Sequence, residues 1–596
     1  MSTSQRFRVP PPRTLVESAR DLAQTALAHV RWSRVRNYLP LVSERSVRRR
    51  RAVVLEPYRR VHTLGRDLFP VFAIPILSLA CLIYGFFFAL TAPFLLVEFL
   101  APIGVLALIT IWALPNQKYA PTYSVEFLFA SYIISLLLWP DYLALYFPGM
   151  PWITSLRVTA FPMVGMLLIC LSMSKEFRRA VAKSVTAIKL LWILMCGFVF
   201  LEFAAVPLSP TPVASLQIAL LTTVLYFGIF VVSAVIFRKI EYIERYWALL
   251  CWIAVPLCLV TILEAREHHL LWMNEIPRFL RVPDDTVTKL LVPEFRPGIN
   301  LYRAKAIFRT SLVLAEYLSL LTPFLLHFGF TKRPTIVRVA ALMLIPLIFY
   351  TIRLTDSRLG LVGMLLSVLM FGCFWSYIRW RREPRNLLSA AILFAYPATF
   401  CLAVGLVLAS TRLSIMVFGG GAQAGSNAAR DTQLNMALHA LAKRPWGYGP
   451  GQSGEALGFA EGAFKTVDNF YIAIAMDLGV PGLICCFGAF AVAILAAVRY
   501  CLSRELSTRR EATLLGPLAI ALSAFLVLKW VHGQGDTHSI QYMELGMVSG
   551  LVYRLQKEER AKQNELKAMA GAAAVAGQNR RARPKVAAAS LAATES

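Results

Sequence analysis

Apolar runs of about twenty residues recur along this chain, and they restrict its fold more than any other feature. The segments 69–90, 156–173 and 213–237 are nearly free of charged residues. A helix needs roughly twenty residues to cross a hydrocarbon core of about 30 Å. Backbone polar groups in lipid must be bonded within their own segment, so such runs are helices rather than open strands. The chain therefore reads as an all-α, polytopic integral membrane protein. Its predicted spans are 69–90, 92–114, 124–140, 156–173, 186–207, 213–237, 246–264, 308–328, 336–354, 359–378, 388–410, 469–498, 514–531 and 538–554. That makes about fourteen crossings.

Charge placement sets an expected orientation. The formal net charge is +27, concentrated in the two tails and in short connections. Residues 1–66 hold fifteen Arg against four acidic residues and include the run Arg48-Arg49-Arg50-Arg51. With that region on the cytoplasmic side, the Lys/Arg-rich connections at 174–183, 237–246, 331–334, 377–386 and 503–511 fall inside too, as the positive-inside bias requires. Both termini are then cytoplasmic. The excess positive charge is explained by this bias and by attraction to anionic headgroups, rather than by nucleic acid. The ten Cys lie almost wholly in apolar runs, with no spacing of a disulfide framework or zinc site.

The chain divides into four stretches. Residues 1–66 form a basic region without a cleavable leader, its 13–39 segment amphipathic or disordered. Residues 67–264 hold the first helices. Residues 265–555 hold a transmembrane core with two long periplasmic loops, 265–307 and 411–468, and 556–596 form a mostly disordered tail. Loops that long are expected to be functional. The second contains Gly419-Gly420-Gly421 and a helical pattern at 427–442.

Cations on the periplasmic side run against the charge bias, which singles out Arg303, Arg309, Arg358 and Arg430. Guanidinium forks suit diphosphate or carboxylate groups because they form paired, charge-assisted hydrogen bonds. Structural ion pairs are the alternative. Asp468-Asn469 opens a helix, where Asp468 serves either as a cap or as a general base. Glu316 and Lys529 fall inside predicted spans, which makes them functional candidates or partners in a structural network. His532, Asp536 and His538 cluster in one short loop, a weak metal signal. The Gly447–Gly451 segment follows no strand, so it is no nucleotide loop; it is expected to form a rigid re-entrant turn close to a ligand. Gly479, Pro481 and Gly482 allow a bend or close packing.

Together these residues resemble the O-antigen ligase and O-antigen polymerase superfamily of bacterial envelope glycan assembly. Arg303 with Phe308 resembles its Arg-x-x-small-x-Phe entry, and Ser357-Arg358 its Ser-Arg helix junction. Arg430 ahead of Pro445-Trp446-Gly447-Tyr448-Gly449 resembles its loop Arg and Pro-x-Gly-x-Gly turn. Asp468-Asn469 followed by Gly479-x-x-Gly482 is similar to its His-Asn helix signature, with Asp where ligases carry His. That departure favours a polysaccharide polymerase, for an exopolysaccharide or capsule, over a ligase acting on lipid A core. A lipid-glycan flippase or a secretion scaffold is the reading from another class. The resemblance implies glycosyl transfer at the periplasmic face of the inner membrane without metal or cofactor. The donor would be a polyprenyl-diphosphate-linked oligosaccharide, and the acceptor a glycan or lipid. Membrane lipids and other polysaccharide assembly proteins would be further partners. It assigns Asp468, Arg430 and Arg303 to catalysis and Arg358, Arg309, Asn469, Tyr448 and Glu316 to substrate binding.

Overall fold

The computed structural model describes residues 96–117, 119–147, 152–296, 301–383, 385, 387–411, 414, 424–461, 464–465, 467–503, 509–533 and 537–592, with residues 75 and 79. The basic region 1–66, nearly all of the span 69–90, Gly419-Gly420-Gly421 and Asp536 fall outside the described residues.

The described chain is mostly helical. Its first part comprises α1 (Leu96–Trp112), α2 (Thr122–Leu138), α3 (Ser155–Met173), the amphipathic α4 (Lys175–Val185), α5 (Lys189–Leu208), α6 (Pro212–Ile236) and α7 (Ile240–Glu267). After a short α8 (Asp285–Leu291) come α9 (Ser311–Phe330), α10 (Thr335–Leu354), α11 (Arg358–Arg382) and α12 (Leu387–Ala409). The last part holds α13 (Ala424–Lys443), α14 (Ser453–Leu457), α15 (Phe470–Cys501), α16 (Arg510–Leu528) and α17 (His538–Ala592). Three two-stranded hairpins punctuate the connections: β1 (Ala144–Leu145) with β2 (Ile153–Thr154), β3 (Phe295–Arg296) with β4 (Leu301–Tyr302), and β5 (Ala460–Glu461) with β6 (Phe464–Lys465).

Ten of these helices are long and apolar enough to cross a bilayer: α3, α5, α6, α7, α9, α10, α11, α12, α15 and α16. Apolar helices at Pro102–Trp112 and Thr122–Leu138 are shorter. The segment expected as the last span, 538–554, begins the 55-residue α17. Its stretch around Gln541 and Glu544 is buried against other helices. Beyond Lys557 the sequence reading expected fraying and then disorder, but α17 continues to Ala592. Ala, Glu, Lys and Gln dominate its first part there, and all are strong helix formers.

α9 is the central helix, almost wholly buried, and packs against α10, α11 and α16. Small residues set its distance from α11. A Cβ at Gly360 would lie 2.8 Å from Ala315 Cβ, and one at Gly363 would lie 2.8 Å from Ser319 Oγ. The same device joins α17 to α6, where Gly546 and Gly550 meet the 230–237 stretch. Close packing of this kind is how helices associate where lipid removes the hydrophobic drive between them.

The ends of the bundle differ. At one end Arg333 and Arg510 both pair with Glu244, Arg509 pairs with Glu558 at 2.6 Å, and Arg238 donates to Tyr553 at 3.2 Å. The connections after α5, α10 and α16 meet the segments around α13 and α14 at the opposite end.

Candidate functional site

α13 is the element on which the candidate site is built. It carries Arg430 and, one turn later, Gln433, whose side-chain oxygen accepts from the Asp468 backbone N–H at 3.0 Å. Arg430 acts electrostatically on Asp468, on His532 and on Arg358. A single loop-borne guanidinium therefore stands among groups from the start of α11, the start of α15 and the end of α16. Its Nε is buried and has no hydrogen-bond partner among the described residues.

At the start of α15 the capping role falls on Asn469, not Asp468. Asn469 Oδ1 accepts from the N–H of Tyr471 at 2.8 Å and of Ile472 at 3.3 Å. The helix's unpaired N–H groups are thus satisfied without Asp468. Burial pushes the Asp468 carboxyl above its ordinary range, and the Arg430 charge partly opposes that rise. Desolvation disfavours the carboxylate, whereas a neighbouring cation favours it.

Arg358 is the first residue of α11, behind a cap in which Ser357 Oγ accepts from Gly360 N–H at 3.3 Å. Asp356 adopts φ +50° and pairs with Arg296 of β3, so Arg296 and Asp356 are both electrostatic neighbours of Arg358. Asp tolerates the left-handed region better than most residues because its short polar side chain can bond locally. The sequence reading passed over Arg296, since a lone Arg in an irregular loop carries no motif.

The remaining predicted residues divide. Arg303 Nη1 lies 2.6 Å from Glu294 Oε1, while its Nε is buried without a partner among the described residues. Its segment is clasped by Glu264 at the end of α7, which accepts from Tyr302 Oη at 2.8 Å, Lys305 N–H at 3.0 Å and Ala306 N–H at 2.6 Å. Arg309 forms a two-point pair with Asp141, Nε to Oδ1 at 3.0 Å and Nη2 to Oδ2 at 2.6 Å. Glu316 and Lys529 pair at 2.7 Å, both fully buried, with His532 Nδ1 3.2 Å from the same Glu316 oxygen. Glu316 Oε1 and His532 Nε2 have no partner among the described residues. Burial, with the charges of Lys529 and Arg430, holds the His532 imidazole well below its ordinary pKa, so the ring is neutral.

The 445–451 turn docks on α15. Tyr448 N–H donates to Met476 O at 2.8 Å, Gly449 N–H to Asp477 O at 2.9 Å and Val480 N–H to Pro445 O at 3.0 Å. α15 breaks at Gly479 (φ 69°, ψ −170°), which frees those carbonyls from the helix ladder. Gly447 has φ +88°, and a Cβ on it would lie 2.5 Å from Asp477 O. Only glycine fits both positions. The close approach expected at this turn is therefore to the α15 backbone. Tyr448 Oη donates to Ala440 O at 3.1 Å, tying the turn to α13. Asp477, overlooked in the sequence, accepts from Ser453 N–H at 2.6 Å and fixes α14. Among the described residues no three His, Cys, Asp or Glu groups gather to hold a metal ion.

Residues 312–487 match the family described as O-antigen ligase, in agreement with the superfamily that the motifs resemble. The match takes in Glu316, Arg358, Arg430, Asp468 and Asn469, and ends before Lys529 and His532. No curated protein matched the chain.

Proposed function

Starting from the O-antigen ligase match, we propose that this multi-pass membrane protein transfers glycan from a polyprenyl-diphosphate carrier, as a polysaccharide polymerase. The observation that carries the reading is the grouping of Arg358 and Arg430, with Arg296 adjacent, beside Asp468. The basic connections gather at the other end of the bundle. The positive-inside bias then puts the site at the periplasmic face of the inner membrane.

The acceptor hydroxyl oxygen bonds to the anomeric carbon of the donor sugar as the bond from that carbon to the diphosphate oxygen breaks. The electron pair stays on the diphosphate, whose charge grows. Arg358 and Arg430, joined by Arg303 through its free Nε, are the donors assigned to that charge. Preorganised donors in a site poor in water give electrostatic stabilisation, often the largest catalytic contribution. Asp468 is assigned to take the hydroxyl proton or orient the acceptor, a role supported by Asn469 being the residue that caps the helix. Its raised pKa brings it nearer the operating pH of a general base. Arg309 is excluded from the donor set because Asp141 already occupies its fork. Holding the lipid-borne donor beside the acceptor supplies the rest by proximity.

The test is transfer by the purified protein in nanodiscs, with polyprenyl-diphosphate oligosaccharide extracted from host membranes as donor, and with chelator and no nucleotide present. Lengthened glycan on the polyprenyl carrier is expected, lost on Arg430→Ala or Arg358→Ala without a change in melting temperature. Transfer to lipid A core would make the protein a ligase instead. Intact donor after incubation would leave transport as the better reading.

A further inference from the structure

The loop between α16 and α17 brings a second proton-handling group to this site. His532 is 2 % exposed, and its Nδ1 faces Glu316 Oε2 at 3.2 Å and Lys529 Nζ at 3.3 Å. Nε2 lies on the opposite edge of the ring, so it points away from that pair, and it has no partner among the described residues. Gly533 explains how the loop comes so near Asp468. A Cβ there would lie 3.1 Å from the Asp468 carbonyl carbon and 3.2 Å from that of Val467, so only glycine lets the two backbones touch. The charged and titratable groups around the ring are Glu316 of α9, Lys529 at the end of α16, Arg430 of α13 and His538 of α17, with Asp468 beside the loop.

A buried imidazole with one nitrogen fixed and the other unpaired is costly to keep unless the free nitrogen is used, because an unmade buried hydrogen bond costs stability. The Glu316 carboxylate only accepts and favours the Nδ1–H tautomer, whereas the Lys529 ammonium only donates and favours a bare Nδ1. The contact to Glu316 is the shorter of the two, and the Nδ1–H tautomer is the one that leaves Nε2 able to accept a proton. Lys529 pairs with one oxygen of the Glu316 carboxylate while keeping the neighbourhood cationic, which holds the resting ring neutral and able to accept a proton.

We propose that His532 Nε2 is the proton acceptor for the incoming hydroxyl, with Glu316 as the positioning residue that fixes its tautomer. This rests on the glycosyl-transfer reading above. In the step, the hydroxyl O–H bond breaks, its oxygen bonds to the anomeric carbon, the diphosphate leaves with its electron pair, and the proton passes to Nε2. Asp468 then orients the acceptor rather than serving as the final base.

The experiment measures turnover on the extracted polyprenyl-diphosphate oligosaccharide for the full chain and for His532→Ala, His532→Gln and Arg430→Ala. Loss of a positioned general base lowers rates by about 100-fold or more. His532→Ala is expected to lose about that much at unchanged melting temperature, and added imidazole is expected to restore about tenfold, increasingly as pH rises and the free base predominates. His532→Gln, which keeps a hydrogen-bonding amide but cannot carry the proton, is expected to stay inactive; it also stands in if the alanine variant fails to fold. Turnover of either variant within about threefold of the unsubstituted protein, or loss in the alanine variant that glutamine restores and imidazole does not, overturns the proposal. Transfer that Arg430→Ala abolishes and His532→Ala leaves intact overturns this inference alone. No transfer by the unsubstituted protein overturns the glycosyl-transfer reading and this inference with it.

Discussion

Two buried carboxylates, Glu264 and Glu316, meet opposite fates in this molecule. Glu264 receives three hydrogen bonds, from Tyr302 Oη and from the N–H groups of Lys305 and Ala306, and it closes the segment that carries Arg303. Glu316 pairs with Lys529 and His532 through one oxygen and leaves the other without a partner among the described residues. Buried polar groups are normally satisfied, and those that are not call for an explanation. The satisfied carboxylate is a clasp. The unsatisfied one belongs to a group that includes the open edge of His532 and the orphaned Nε of Arg430.

The sharpest way to break this comparison is to replace both ions of the second group. Removing one partner of a buried pair is strongly destabilising, whereas replacing both with apolar residues of similar size is often neutral. Glu316→Leu combined with Lys529→Met is therefore expected to melt close to the unsubstituted protein while transfer falls by about 100-fold or more. A double variant with normal turnover would make Glu316 a clasp like Glu264.

Glu264→Gln should show the reverse balance. One carboxylate oxygen becomes an amide facing N–H and O–H donors, and an unsatisfied buried donor costs about 1–3 kcal/mol. A melting temperature lowered by several degrees is expected, with turnover per folded molecule falling less than in the Glu316 double variant. An unchanged melting temperature would remove the clasp.

Asp468 yields a smaller, pH-dependent effect. Its folded pKa lies above the ordinary carboxylate value, so folding binds a proton more tightly than the unfolded chain does. The stability it contributes is present below the unfolded pKa and is lost as pH rises through the folded one. Asp468→Asn is thus expected to gain stability relative to the unsubstituted protein as pH is raised from acid to neutral. Transfer by the unsubstituted protein should begin to fall on the acid side at a pH above the ordinary carboxylate range, and Asp468→Asn should lack that limb. Parallel curves for both proteins would place the titration elsewhere.

The smallest effect is expected at Arg309. Its side chain is 43 % exposed and already bonded to Asp141. Exposed pairs are worth about 0–1 kcal/mol, so Arg309→Ala, alone and with Asp141→Ala, should shift stability within about 1 kcal/mol. A large loss of transfer from Arg309→Ala alone would bring it into the site.

Much of this could be read from the residues alone. Helical character and membrane crossings follow from apolar run length, since lipid leaves the backbone few alternatives. Arg358, Arg430 and Asp468 stood out because their motifs are local and ordered along the chain. Pairings across the bundle were not legible in the same way. Nothing near Arg309 in sequence points to Asp141, and nothing near Asp356 points to Arg296. Asp477 was overlooked because nothing near it in sequence points to the Ser453 N–H that it accepts from in the fold. The burial of the polar start of α17 among other helices was not legible either, because it depends on partners far away in sequence.

The most direct single measurement is the rate of polyprenyl diphosphate release by Arg430→Lys under single-turnover conditions on the extracted donor. Lysine keeps the charge but lacks the planar fork, so a diphosphate held by paired hydrogen bonds should lose much of its stabilisation. A fall of about tenfold to 100-fold, with melting temperature unchanged, is expected if Arg430 bonds the leaving diphosphate. A rate within about twofold of the unsubstituted protein would contradict that role and the site built around it.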